Sequence, residues 1–327
     1  MPEIKLYDFS GEDKQYEIEE TNEDTGDYKI RKVERYTVNM YGLDENGVTF
    51  NVSTTYEPWF CIKLNGIRAW GELLSNLKQA VINNEIGNYL KPKPWDTCRC
   101  HGAGHKYHKC EKKIEKDDMN EAVKLQKGEE KWNKGLTPGV KKMRRKINSI
   151  EYMVNNQLNM DNTGPIKKMK LYGFDNFKKH MFFKLTFNTI AMMNKFKALW
   201  YTKNDDFRKR KLKKYKFHGR ELEIYESSLP PLLRYFHENE INPSGWIKIE
   251  NDEERYEGVT TQDKEYDVEP DEIIPLLEKE SAVPYKQMCW DIEASSSHGD
   301  FPLSIKGWDK LIKEVIDYWK KNETNKE

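Results

Sequence analysis

Met288-Cys289-Trp290-Asp291-Ile292-Glu293-Ala294 is the stretch on which the reading of this chain turns. Its apolar residues predict a short strand, and strand side chains alternate between faces. Asp291 and Glu293 therefore project one way, Trp290 and Ile292 the other. Two carboxylates side by side on a rigid strand make half of a site for two divalent metals, held about 3.5–4 Å apart, of the kind that cuts phosphodiesters. A bare Asp-x-Glu is commonly a pair of surface acids. Here the acids sit in an apolar strand, where unpaired carboxylates are costly unless metal or hydrogen bonds satisfy them. The polar loop Ala294-Ser295-Ser296-Ser297-His298-Gly299-Asp300-Phe301-Pro302 follows directly. The site needs at least one more carboxylate from later in the chain, and the sequence given stops at Glu327.

Upstream, periodicity predicts a run of mixed elements. Tyr36–Leu43 and Val48–Ser53 read as a hairpin around the turn Asp44-Glu45-Asn46-Gly47, and Trp59–Leu64 as a third strand. Ala69–Tyr89 reads as a helix with Leu73, Leu74, Leu77, Ala80 and Val81 on one face. Residues 91–165 are rich in Lys, Asn and Glu with few clear apolar stripes, and read as an insert, partly helical and partly mobile. Phe182–Phe187 is a strand and Thr189–Trp200 a helix; residues 215–226 are a strand pair. Pro230–Glu238 is a short helix with proline in its first turn, and Gly245–Ile249 a strand. Residues 251–272 read as an acidic linker, and an amphipathic helix carrying Trp308, Leu311, Ile312, Val315, Ile316 and Trp319 closes the sequence. That apolar stripe suits packing on the chain's own sheet, or cover by a partner.

The 327 residues favour two domains. They are 37% hydrophobic and 34% charged with a mean hydropathy of −0.94, yet 12% aromatic content argues against wholesale disorder. The net charge of zero hides a segregation. Residues 1–30 hold 10 acids against 3 bases, residues 250–280 hold 13 against 3, and residues 167–220 hold 17 bases against 3 acids. A basic middle suggests a phosphate partner; a solvated lysine-rich face is the plainer reading. Five cysteines, three of them clustered, do not suggest a secreted disulfide framework. The start, Met-Pro-Glu-Ile-Lys, lacks a signal-peptide pattern, and no stretch approaches the length of a membrane span. An intracellular, soluble protein without a membrane partner is expected.

Cys289 to Pro302 resembles the first exonuclease motif of family B DNA polymerases, particularly the delta-like versions of large DNA viruses. Other blocks agree in order. Tyr56-Glu57-Pro58-Trp59-Phe60 resembles the aromatic-Pro-aromatic strand early in the family's N-terminal domain. Leu171-Tyr172-Gly173-Phe174 with Phe183–Phe187 is similar to its middle strand block. Tyr225–His237 and Pro243–Ile247 are similar to the segment before the exonuclease domain.

The resemblance implies a mixed α and β (α+β) fold. An N-terminal β-barrel and β/α domain precede the start of an RNase H-like 3′→5′ exonuclease domain. On that basis residues 1–90 are the β-rich first part of the N-terminal domain, and residues 91–165 the polar insert. Residues 166–284 are the domain's second part with the acidic linker, and residues 285–327 an incomplete exonuclease domain. The implied function is that of the N-terminal part of a DNA-directed DNA polymerase in replication. Asp291 and Glu293 would ligate Mg2+ or Mn2+. The later exonuclease motifs and the palm aspartates are not in this sequence, so polymerase chemistry cannot be assigned to it. DNA and the remaining polymerase chain are the implied partners, in the host cytoplasm (a virus factory) or nucleus. The alternative is a non-catalytic DNA-binding or polymerase-assembly module.

Two local features stand beside this. The run Arg208-Lys209-Arg210-Lys211-Leu212-Lys213-Lys214 offers six cations to phosphates, with Phe207, Tyr215 and Phe217 nearby to stack on bases. Lys141-Lys142-Met143-Arg144-Arg145-Lys146 is a second basic run. A solvated face, or a nuclear-localisation patch, accounts for such runs equally well. Cys98, Cys100, His101, His105, His108 and Cys110 cluster in a short Gly-containing segment, and Cys98, Cys100, His105 and Cys110 could hold Zn2+. Their spacing is not that of a standard finger, the resemblance implies no metal there, and such clusters also occur in inserts that bind nothing. Arg234 reads as positioning a domain junction rather than touching substrate.

Overall fold

The computed structural model describes residues 1–21, 28–90, 109–126, 137–170, 173, 175–202, 210–250, 258, 260–286 and 309–323. The chain forms two compact units, Met1–Pro284 and Tyr285–Glu327. In chain order the first holds β1 (Glu3–Thr21), β2 (Tyr28–Leu43), β3 (Thr49–Thr55), β4 (Trp59–Lys63), α1 (Trp70–Tyr89), α2 (Lys109–Gln126), α3 (Pro138–Asn156), β5 (Gly164–Met169) and β6 (Lys179–Thr186). It continues with α4 (Ile190–Lys197), β7 (Tyr215–Phe217), β8 (Arg220–Leu222), β9 (Ile224–Tyr225), α5 (Pro231–Glu238), β10 (Trp246–Ile249), β11 (Lys264–Asp267) and β12 (Ile273–Leu276). The second unit contributes α6 (Asp309–Glu323), on which Leu311, Ile312, Val315, Ile316 and Trp319 are exposed.

β2 and β3 form the expected hairpin, with Leu43 opposite Thr49. Asp44 builds its turn: one carboxylate oxygen accepts from the backbone N–H of Asn46 and of Val48, both at 2.9 Å. The hairpin belongs to a six-stranded sheet in the order β11-β3-β2-β1-β10-β12. The expected barrel is thus a curled half-barrel whose end strands, β11 and β12, are not joined. One face packs Ile4, Leu6, Val38, Met40, Val52, Ile247 and Ile249 against Tyr235 and Phe236 of α5. The other face carries buried polar residues. Asn39 accepts from Lys14 Nζ at 2.9 Å and Ser53 Oγ at 2.8 Å, and donates to Ser10 Oγ at 3.3 Å.

The second sheet runs β5-β6-β4-β9, with all three pairings antiparallel. Chain order β4-α1-β5-β6-α4-β9 combined with this spatial order is a split β-α-β, the ferredoxin-like arrangement. Phe60, Ile62, Phe183, Leu185 and Phe187 line the helix-covered face, against Leu73, Leu77 and Val81 of α1 and Met192, Met193 and Phe196 of α4. α4 is capped twice. Thr189 Oγ1 accepts from Met192 N–H, and the Asp13 carboxylate accepts from Ile190 and Ala191 N–H at 2.8 and 2.9 Å. A carboxylate there also complements the positive end of the helix dipole, a contribution of about 1 kcal/mol.

Two expectations are corrected. Residues 91–165 were expected to have few clear apolar stripes, but α3 has a well-formed one: Val140, Met143, Ile147, Ile150 and Val154 are buried, the last two in the main core. Interspersed lysines and arginines on the outer face masked a helical period. Lys141-Lys142-Met143-Arg144-Arg145-Lys146 is that outer face interrupted by a buried Met143. The acidic linker contains β11, parallel to β3, with Glu265 and Tyr266 buried. Glu265 is accommodated because it accepts from Thr260 N–H and Oγ1 at 2.5 and 2.6 Å.

Candidate nucleic-acid interface

Several of the residues singled out in the sequence lie outside the described set. These are Asp291 and Glu293, Arg208 and Lys209, and Cys98, Cys100, His101, His105 and His108. Cys110 belongs to α2, but its side chain also lies outside that set. Among the described residues, no group of three or more His, Cys, Asp or Glu could hold a metal. No helix among them is long and apolar enough to cross a membrane.

The rest of the basic run is a strap laid beside Trp200–Thr202. Lys213 N–H donates to Trp200 O at 2.7 Å, and Thr202 N–H to Lys211 O at 2.9 Å. Lys214 is engaged by acids, Glu221 at 2.9 Å and Glu223 at 3.8 Å. That pairing raises the Lys214 pKa and lowers that of Glu221. Lys211 and Lys213 carry exposed side chains. Of the flanking aromatics, Phe207 lies outside the described residues, and Tyr215 and Phe217 are engaged within the fold. Phe217 is buried in the core, and Tyr215 packs on Trp200 with its hydroxyl donated to Asn76 at 2.6 Å.

The structure assembles a second set that sequence reading left as separate blocks. Trp59 on β4 is surrounded by three cations: Arg234 at 3.6 Å from the ring centroid, Lys168 at 4.9 Å and Lys184 at 5.0 Å. Register explains the convergence. Trp59 lies opposite Thr186 and Cys61 opposite Lys184, so these side chains share the face turned away from the helices. Arg234 comes from α5. Its guanidinium donates to Trp59 O at 3.1 Å and Glu226 O at 2.6 Å. Glu226, at a left-handed φ of 59°, offers its carboxylate to Lys168 at 2.5 Å. Glu238, also on α5, accepts from Tyr56 Oη at 2.6 Å and Trp59 Nε1 at 3.1 Å. Arg234 therefore ties α5, which packs on the first sheet, to Trp59 and Glu226 beside the second.

Beside this cluster opens a cavity of about 390 Å³ lined by Arg35, Tyr56, Trp59, Lys184, Tyr235 and Glu238, among others. Burial, then the Glu238 carboxylate, holds the Tyr56 hydroxyl pKa far above its usual value. Burial alone does so for Tyr235, whose hydroxyl has no hydrogen-bond partner among the described residues. Burial also pushes the Cys61 thiol up to about 12. These groups stay protonated at neutral pH. The cavity is lined by two cations, Arg35 and Lys184, and by the carboxylates of Glu57, Glu238 and Glu269, beside an indole ring and neutral hydroxyls. The signal in the sequence was the pairing of Tyr56-Glu57-Pro58-Trp59 with Leu232-Leu233-Arg234-Tyr235. Nothing local indicated that the two blocks meet.

Residues 222–324 match the model of the DNA polymerase family B exonuclease domain. The match runs from β8 through α6 and takes in Asp291 and Glu293. A DNA polymerase of Phaeocystis pouchetii virus is 37% identical over 164 residues, covering 48% of this chain and 16% of the viral protein. A DNA polymerase of Pyramimonas orientalis virus is 29% identical over 184 residues, covering 53% of this chain and 13% of that protein. The chain thus spans less than a fifth of either relative. An overlay on the family B DNA polymerase of the hyperthermophilic archaeon Pyrobaculum calidifontis covers 87% of this chain and 21% of that one, with a TM-score of 0.37 and 10% identity.

Proposed function

Because residues 222–324 carry the exonuclease-domain sequence of family B DNA polymerases, we propose that this chain is the N-terminal part of such a polymerase. It serves DNA replication, with the remaining polymerase polypeptide and template or primer DNA as partners. The observation that carries this reading is that the Asp291-x-Glu293 pair falls inside the matched segment. In this reading both acids are ligands of a divalent-metal site, Mg2+ or Mn2+, shared with carboxylates of the later exonuclease motifs. The metals, when bound, activate water and stabilise charge on the scissile phosphate. The chain's own contribution is to hold two carboxylates and to grip the DNA backbone through Arg208–Lys214.

Two assays on one labelled oligonucleotide test this. The chain alone is expected to degrade 3′ ends negligibly, since two carboxylates are an incomplete site. Robust degradation that Asp291→Ala abolishes would overturn the assignment of an incomplete site. The chain is expected to bind the oligonucleotide in a salt-sensitive manner. Charge reversal at Arg208, Lys209 and Arg210 should lower the slope of log affinity against log salt by about 2, at roughly 0.7 per phosphate contact on a single strand. An unchanged affinity and slope would remove this run from the DNA-binding surface.

A further inference from the structure

The segment that leads out of the first unit is held to the sheet by side chains, not by a strand or helix. β12 ends at Leu276, and residues 279–286 have no regular secondary structure. Register brings the anchoring groups together. Leu43 at the end of β2 lies opposite Lys5 on β1, Lys5 opposite Trp246 on β10, and Trp246 opposite Leu276. One row across the sheet therefore sets the β2–β3 turn, the start of β1 and the Trp246 ring beside the exit of β12. Lys279 is the first anchor. Its ammonium reaches Glu3 at 2.6 Å and Glu45 at 3.0 Å, and lies 3.9 Å from the centroid of the Trp246 ring. These contacts leave 22% of the Lys279 side chain exposed. Hydrogen bonds to Lys279 and then Ser281 hold the Glu45 carboxyl below its ordinary value, and Glu3 chiefly holds the Lys279 ammonium above its own. Ser281 is the second anchor, its carbonyl accepting from Trp246 Nε1 at 3.1 Å. The third is Pro284, whose ring lies over Gly47: a Cβ on that glycine would stand 3.1 Å from Pro284 Cγ.

We propose that Lys279 latches this strap to the sheet and thereby sets the length of the tether that carries Asp291 and Glu293. Asp291 lies seven residues beyond Pro284 and fifteen beyond Leu276. A fully extended chain spans at most about 3.5 Å per residue. With the strap latched, Asp291 stays within about 25 Å of the β2–β3 turn; with it released, the reach from the end of β12 doubles to about 50 Å. The latch can open without unfolding the sheet, because β12 pairs with β10 only as far as Leu276. Its bonds are also of the kind that opens. Ion pairs between partly exposed groups are weak and salt-screened, and a cation over an aromatic ring adds a similar amount. One ammonium makes three of the contacts, so its departure frees the strap as a unit. The latch belongs to the first unit and goes beyond the polymerase reading: it holds whatever the two acids ligate.

Trypsin tests this directly, because it must take the Lys279 ammonium into its own pocket and so cuts after Lys279 only from the open state. Lys286, exposed just beyond the strap, is the internal reference. Initial cleavage rates after the two lysines are read by mass spectrometry on the whole chain. In the unsubstituted chain, cleavage after Lys279 should be slow relative to Lys286. Glu3→Gln with Glu45→Gln leaves both cleavage sites unaltered and should raise that relative rate about tenfold. Raising KCl from about 0.05 to about 0.5 M should raise it severalfold in the unsubstituted chain and leave it unmoved in the double variant. The salt series needs no substitution, so the test stands even if the variant folds poorly. Equal rates after the two lysines in the unsubstituted chain would overturn the proposal by showing an open strap. A relative rate that neither salt nor the substitutions move would also overturn it, by showing a strap that Ser281 and Pro284 hold without Lys279.

Discussion

Arg234→Ala is expected to destabilise the chain by about 3–5 kcal/mol, the range for removing one partner from a buried, hydrogen-bonded charge cluster. Its side chain is almost fully buried and has three tasks. It stacks on the Trp59 ring at 3.6 Å, satisfies the Trp59 and Glu226 carbonyls, and lies 3.9 Å from the Glu226 carboxylate. Truncation removes the guanidinium donor from two part-buried carbonyls and leaves a void beside the indole, with Lys168 the remaining cation on the Glu226 carboxylate among the described residues. Arg234→Lys keeps the charge but not the planar fork that reaches both carbonyls while stacking, so most of the loss should persist. Urea denaturation followed by tryptophan fluorescence checks this. A loss under about 1 kcal/mol for the alanine variant, the usual worth of a surface ion pair, would show that Arg234 does not hold the two sheets together.

The second large effect is alkaline unfolding. Burial pushes the Cys61 thiol up to about 12 from 9.0. Burial, helped by Asp13, pushes the Tyr36 hydroxyl up to about 12 from 10.0, and burial alone also raises Tyr235. All three side chains are buried. The sign follows from proton binding. Below about pH 8 both folded and unfolded chains keep these protons, and these groups make stability independent of pH. Above the unfolded values only the unfolded chain releases them. Stability then falls until the pH passes the raised folded values, near 12 for Cys61 and Tyr36.

At about pH 11 each tyrosine costs on the order of 1.4 kcal/mol and the thiol about twice that. Together this is on the order of 5 kcal/mol, comparable to the whole stability of an ordinary domain. Circular dichroism against pH should show cooperative loss of structure between about pH 10 and 11.5, with the tyrosinate absorbance rising at the same point. Cys61→Ala should lose less stability than the unsubstituted chain across that interval. Tyrosines that titrate smoothly near pH 10 with the dichroism intact would refute the account.

The sequence by itself determined the elements whose signals are local. Asp44–Gly47 sets the β2–β3 turn through a side chain bonding its own neighbours, and Gly47 takes the φ of 85° that the turn requires. Alternation placed β6, Thr189 marked the start of α4, and Pro230-Pro231 that of α5. The relation to family B DNA polymerases was also legible, because ordered motif blocks survive without any structure; the family-model match and the viral relatives bear it out.

Local pattern failed where pairing or packing, rather than composition, decided the conformation. β1 reads as an acidic segment. It becomes a long strand because β2 pairs with it along nearly its whole length, and an arm with polar residues on both faces shows no apolar alternation. α3 hid its stripe among lysines, and β11 its one buried acid in an acidic run. The Trp59–Arg234 cluster joins residues 175 positions apart. No window of sequence contains such a contact, and only the docking of α5 across two sheets brings the ring and the guanidinium together. The same tertiary placement separates the lysines. Lys214, Lys168 and Lys170, each held by an acid, look alike in sequence to Lys167, Lys178 and Lys179. Which of them keep a charge to offer a ligand depends on where the folded chain sets its few acids, and charge pairing between distant strands is not written in local composition.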